Sequence, residues 1–168
     1  LGDPLGLTIM NNDEVFKLAL SDTKGNRIDI SQGTFAGKPK ILQIMGTWCP
    51  NCKDETAFLL GYLKDNPDPG FEILGVSFER HTDTTKAIAA IETYKTKMQI
   101  PYPIVYGGTN DKKKAGEVFP MLNKVVAYPT LIFLDKYNKV VAIHTGFSGP
   151  ATSGYAAFKE EFSALVTK

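Results

Sequence analysis

Hydrophobic and polar positions change period several times along this chain. Ile41-Leu42-Gln43-Ile44-Met45 is apolar on both faces, the pattern of a central strand covered on either side. Before it, residues 14–20 alternate as a half-buried strand does. Residues 22–26 (Asp-Thr-Lys-Gly-Asn) are turn chemistry, and 27–30 read as the returning arm of a hairpin. Residues 31–40, with Gly33, Gly37 and Pro39, read as loop. After the central strand the period becomes helical. The first helix is predicted from about Cys49 or Pro50 to Asp65, because proline suits a first turn and Asn66-Pro67-Asp68-Pro69-Gly70 cannot continue it. Residues 71–78 predict a second buried strand. Residues 82–99 predict a long amphipathic helix through Ala87, Ile88, Ile91, Tyr94 and Met98, capped by Thr82 or Asp83.

Residues 100–106 read as extended and proline-punctuated, 107–110 as a turn and 111–119 as a short helix. Residues 125–128 and 130–135 read as a strand entered through Pro129. A tight turn at 136–139 then leads to a hairpin partner over 140–144. Residues 146–154 read as loop, and Tyr155, Phe158, Phe162 and Leu165 mark a closing helix over 155–166. Residues 1–13, rich in Gly, Asp, Asn and Pro, predict a linker or flexible arm, leaving 14–168 as one domain. Helices between strands imply a partly parallel sheet, and the terminal hairpin implies an antiparallel edge.

Composition narrows the possibilities. The chain has 168 residues, 43% of them hydrophobic, which suits one domain with its own core. A formal charge of +1 argues against a nucleic-acid partner, which takes a basic stripe. Lys112-Lys113-Lys114 reads as a solvated helix face. No run reaches the roughly 20 apolar residues of a membrane span. The chain begins at Leu1 rather than Met, so the expectation is a processed or excised protein whose address or anchor would lie ahead of it.

The candidate chemistry is Trp48-Cys49-Pro50-Asn51-Cys52. These are the only two cysteines, and they sit at the predicted start of a helix. Thiols at i and i+3 can close a small reversible disulfide. Unpaired N–H groups and the positive dipole end favour a thiolate, the reactive form. A purely structural disulfide closes too short a loop to constrain much chain. A zinc site would need two more ligands, and His81 and His144 are the only histidines.

The strand–Trp-Cys-x-x-Cys–helix order, the later Tyr128-Pro129-Thr130 before an apolar strand, and the terminal hairpin plus helix resemble the thioredoxin fold. That resemblance implies an α/β architecture, a central mixed sheet flanked by helices. The N-terminal hairpin and the segment inserted between the first helix and Pro129 are similar to the TlpA/ResA branch, extracytoplasmic thiol–disulfide oxidoreductases. So is Glu55, three residues after Cys52. The likeness covers roughly residues 14–166. Two positions depart from it. Ala57 stands where the branch usually carries a helix-kinking proline, implying a straighter helix, and Gln43 replaces the buried acid of ordinary thioredoxins.

The resemblance implies that Cys49 attacks from the exposed lip of the helix and that Cys52 resolves the mixed disulfide. Glu55 would move protons for Cys52, its alternative being a solvated acid. Trp48, Pro50, Asn51 and Tyr128 would frame the substrate surface. Pro129 would be a cis-proline facing the cysteines, with the Tyr128 backbone as a docking edge. Glu79, His81 and His144 read as structural or surface groups. The implied partners are protein thiol or disulfide substrates and a redox partner protein; no bound cofactor and no metal is implied. The implied compartment is periplasmic or otherwise extracytoplasmic, and the poise mostly reducing. Three alternatives stay open: a thiol peroxidase, a copper-binding thioredoxin-like module and an adaptor domain. The first lacks the Pro-x-x-x-Thr-x-x-Cys pattern, since Gly46 holds the Thr position and Leu42 the Pro position.

Overall fold

A computed structural model describes Thr8, Met10 and residues 15–125 and 127–167. The element order is β1 (Ala19–Ser21), β2 (Arg27–Asp29), β3 (Lys40–Met45), α1 (Pro50–Asp65), β4 (Glu72–Glu79), α2 (Thr84–Met98), β5 (Ile104–Thr109), α3 (Lys112–Val118), β6 (Thr130–Leu134), β7 (Val140–Thr145) and α4 (Tyr155–Val166). Five strands form one sheet in the order β5-β4-β3-β6-β7, and β1 and β2 pair as a separate hairpin. β3, β4 and β5 run parallel, while β6 and β7 are antiparallel to their neighbours. This is the expected mixed sheet with helices on both faces.

All six residues of β3 are buried, as its apolar run predicted. The pleat sends alternate side chains to opposite faces. Leu42 and Ile44 join a core with Phe16, Leu18, Phe78 and Phe119, under the hairpin side and α3. Ile41 and Met45 join a second core with Leu59 of α1, Ile91 of α2 and Phe158 and Phe162 of α4. The crossovers β3-α1-β4 and β4-α2-β5 advance in one direction along the sheet, so a constant hand puts both helices on one face. α1 is unbroken from Pro50 to Asp65, and Asp83 caps α2 by accepting from the N–H groups of Thr85 and Lys86.

Three expectations need correction. The strand predicted over 14–20 is regular only at Ala19–Ser21, although Phe16 and Leu18 are buried ahead of it. The extended run and turn predicted over 100–110 conceal the edge strand β5. Its Gly107-Gly108 pair reads as a turn, but the register slips there between Ser77 and Phe78, and a Cβ on Gly107 would lie 2.6 Å from the Phe78 ring. Glycine is needed at that bulge for close approach. Third, residues 125, 127 and 128 are not strand; β6 begins at Thr130. The arm expected over 1–13 lies mostly outside the described residues. Of its described positions, Thr8 is buried and Met10 forms an isolated antiparallel bridge to Leu122.

A candidate dithiol site at the carboxyl end of β3

β3 ends at Met45, and Gly46-Thr47-Trp48 turns the chain into α1. Cys49 is the N-cap of α1, in an extended conformation (φ −96°, ψ 116°), with Pro50 in the first turn. Its sulfur accepts from the backbone N–H of Cys52 at 3.3 Å, the service that a Ser or Asp oxygen gives at other helix starts. Both cysteines are free thiols. The Tyr128–Pro129 peptide bond is cis, and the Cys49 thiol donates to the Tyr128 carbonyl at 3.5 Å. The residues expected at the site therefore do converge, from the β3–α1 turn and the start of β6. Pro50 and Asn51 between the cysteines are exposed.

Cys49 was expected at an exposed lip, but only 6% of it is accessible. Two neighbours cover it. The Trp48 and Tyr128 rings meet edge to face at 5.5 Å, and the Tyr128 backbone lies over the sulfur. Trp48 is itself fastened, its indole N–H donating to the Phe78 carbonyl at 2.8 Å while the Arg80 guanidinium stacks 5.2 Å from the ring.

Cys52 is fully buried, on the inner side of α1. Burial pushes its thiol up, and the adjoining Cys49 sulfur and Glu55 carboxyl add to the rise. One turn further on, Glu55 is also fully buried, so it is no solvated helix acid. Burial holds its carboxyl well above the usual carboxylate range, with the Gln43 amide pulling weakly the other way. Gln43 donates to Glu55 Oε1 at 3.1 Å and accepts from the Thr56 hydroxyl at 3.3 Å. The Tyr94 hydroxyl donates to Thr56 at 3.0 Å. Burial lifts Tyr94 to about 12, so it stays a donor. Glu55 Oε2 has no hydrogen-bond partner. A carboxyl whose charged form burial disfavours, with one oxygen held by Gln43 and the other uncommitted, can take a proton as carboxylate or give one as acid beside Cys52.

Glu79, read from the sequence as a structural or surface group, is 1% exposed and accepts three hydrogen bonds beside this turn. The signal was its place at the end of a buried strand, where an unpartnered acid could not stay. His144 packs on Phe158 and pairs with Glu161 at 3.3 Å. Among the described residues no three His, Cys, Asp or Glu side chains converge as a metal-ligand set. No described helix is long and apolar enough to cross a membrane.

A Cys-x-x-Cys helix start, a facing cis-proline and a β5-β4-β3-β6-β7 sheet define a dithiol protein of thioredoxin fold. The chain belongs to the AhpC/TSA family, a thioredoxin-superfamily domain whose sequence model matches residues 12–143. It is 26% identical to the thiol-disulfide oxidoreductase ResA of Bacillus subtilis over 139 residues, 83% of this chain and 69% of that one. It is also 32% identical to 1-Cys peroxiredoxin A of Oryza sativa subsp. japonica over 102 residues, but these are 60% of this chain and 44% of the rice protein. Among solved structures, the thioredoxin domain of a thiol-disulfide oxidoreductase from Bacteroides vulgatus superposes with a TM-score of 0.61 at 25% identity, covering 92% of this chain and 97% of that one. This chain is a thiol–disulfide oxidoreductase of the thioredoxin-like class.

Proposed function

We propose that the protein is an extracytoplasmic reductase of protein disulfides. The observation that carries this reading is the asymmetry of two free thiols at one helix start. The Cys49 sulfur accepts from the helix N–H of Cys52, while the Cys52 sulfur is buried beside a raised Glu55. The Cys49 thiolate attacks one sulfur of a substrate disulfide. A Cys49–substrate disulfide forms and the other substrate sulfur leaves as thiolate. Glu55, in its carboxylate form, accepts the proton of Cys52 and becomes the neutral acid that burial favours, and the Cys52 thiolate attacks the Cys49 sulfur, releasing the second substrate thiolate. Two electrons have passed to the substrate, and the Cys49–Cys52 disulfide returns to dithiol by exchange with a reduced partner protein.

Trp48, Pro50 and Asn51 present the surface a substrate meets. The Tyr128–Pro129 backbone, now engaged by the Cys49 thiol, accepts the substrate strand once that thiol turns to the disulfide. The extracytoplasmic setting is supported by the resemblance of Cys49-x-x-Cys52-x-x-Glu55 to the TlpA/ResA branch. The peroxidase alternative is disfavoured sterically as well as by motif. At Gly46, where the peroxidatic pattern carries Thr, a Cβ would meet the Trp48 indole at 2.2 Å and the Phe78 carbonyl oxygen at 2.7 Å.

The test is an equilibrium redox titration of Cys49–Cys52, followed by fluorescence of the single tryptophan, Trp48. A potential near about −270 mV supports a reductase, and one near about −120 mV makes the protein an oxidant. The absence of any reversible two-electron transition would overturn the dithiol reading and favour a metal-binding or adaptor module.

A further inference from the structure

Glu79 closes β4 and is almost fully buried, yet no substrate-facing role fits it. Its side chain reaches back to the turn that delivers the first cysteine. Oε2 accepts from the Thr47 backbone N–H at 2.9 Å and from the Ser77 hydroxyl at 2.7 Å. Oε1 accepts from the Thr47 hydroxyl. The Glu79 backbone carbonyl accepts from Asn110 N–H at 2.9 Å, fixing the residue from the β5 side as well. One residue earlier, the Phe78 carbonyl takes the Trp48 indole N–H. The turn over residues 46–48 is thus held at its middle by the Glu79 side chain and at its end by the β4 backbone. Cys49 N–H also donates to the Gly46 carbonyl at 3.2 Å, and the Gly46 backbone hydrogen-bonds the Cys52 sulfur.

We infer that Glu79 is a positioning residue of the dithiol site. It pins Thr47, so that Cys49 enters α1 with its sulfur on the Cys52 N–H and under the Tyr128 carbonyl. An N-cap helps only while its side chain stays within reach of the first-turn N–H groups, and the chain reaches Cys49 through Thr47 and Trp48. A buried acid with three donors on two oxygens is a rigid clamp, because releasing any donor leaves a buried polar group unmatched. Other charged groups near the turn are differently placed. Arg80 lies over the Trp48 ring, and His81, Lys86 and Lys97 line the open basin beside Thr47. None of these four side chains hydrogen-bonds to the turn backbone.

The inference rests on the dithiol reading, but its test needs no substrate and no turnover. The rate of alkylation of the reduced protein by iodoacetamide is followed against pH, with mass spectrometry locating the label on Cys49. Two variants are compared with the parent, Glu79→Gln and Thr47→Val. Both weaken the clamp, Thr47→Val by removing only the hydroxyl bond, and only the first removes an acid. Positioning predicts a slower reaction at neutral pH in both, by about tenfold in Glu79→Gln and less in Thr47→Val. Faster alkylation in Glu79→Gln with Thr47→Val unchanged would make Glu79 only a repelling charge and overturn the inference. Profiles superimposable on the parent, with lowered denaturation midpoints, would make it a purely structural bond and overturn it equally. If Glu79→Gln does not fold, Thr47→Val decides alone. A parent without a reversible Cys49–Cys52 disulfide would sink the dithiol reading, whatever the variants do.

Discussion

On the face of the sheet under α3 and the hairpin side, Leu42, Ile44, Val76 and Phe78 meet Phe16, Phe119 and Val125, and the packing is almost wholly apolar. On the opposite face, Ile41, Met45, Leu59 and Phe162 pack just as closely. Yet that face also encloses Gln43, Cys52, Glu55 and Thr56, all fully buried. The first face can be judged by volume and area alone. The second has to satisfy hydrogen bonds as well, and it does so for every member of the Gln43–Thr56–Tyr94 chain while leaving Glu55 Oε2 open. The first face is built for packing, while on the second burial raises Cys52 and Glu55 side by side. The apolar face has its own polar rim at Lys40, whose ammonium is held by the Lys38 carbonyl at 2.7 Å and Asn138 Oδ1 at 2.6 Å. That rim lies at the start of β3, at the far end of the strand from Cys49.

The largest effect expected from this contrast is on turnover. Cys49→Ser abolishes disulfide reduction, and Cys52→Ser accumulates a mixed disulfide with the substrate, seen as a mass adduct. Full turnover by either variant would break the assignment of roles. Next comes the apolar face. Phe119→Ala, at a fully buried ring touching Phe16 and Phe78, lowers unfolding stability by about 3–5 kcal/mol in guanidinium. It should leave the alkylation profile of Cys49 where it was. A displaced profile would mean that the two faces are coupled.

A smaller effect follows from Glu55. Its folded pKa lies above the 4.5 of a free carboxyl, so between those values the native state holds a proton that the unfolded chain has lost. Stability is greatest below the unfolded pKa and falls as pH rises toward the folded one, by up to about 1.4 kcal/mol per pH unit. Glu55→Gln removes that decline. Denaturation midpoints from pH 4 to 8 should converge at the acid end and separate above it, with the variant the more stable. Parallel curves would show that Glu55 is ionised in the fold. The smallest change is Tyr94→Phe, which deletes the hydroxyl at the outer end of the chain and costs about 1 kcal/mol. Its stability–pH curve should stay near the parent's, because Tyr94 touches Glu55 only through Thr56 and Gln43.

Much of this was legible along the chain because it is local. Pro50 in a first turn and Pro67 and Pro69 beyond the last one bound α1 without help from the rest of the protein. The apolar run at 41–45 could only be a covered strand. The thiol pair could be read as reactive from its spacing and its place at a helix start. What escaped were features decided across the sheet. β5 was hidden because Gly107-Gly108 is turn chemistry by sequence, and only the Phe78 ring shows why glycine belongs inside a strand there. Cys49 was expected to be exposed because a helix N-terminus by itself is open; the covering groups come from Trp48 and from Tyr128, 79 residues away. Glu79 could be read only as a structural or surface group, because its partner Thr47 lies 32 residues away in the chain.

The sequence by itself determined the class of chemistry, the α/β order and the placing of the two thiols at a helix start, since these depend on neighbours within a few residues. Only the tertiary structure decided how far each sulfur is shielded, which acid is buried beside Cys52 and which carboxylate holds the turn. Burial and hydrogen-bond geometry belong to the packed arrangement of β3, β4, β6 and α1, and no single segment carries them.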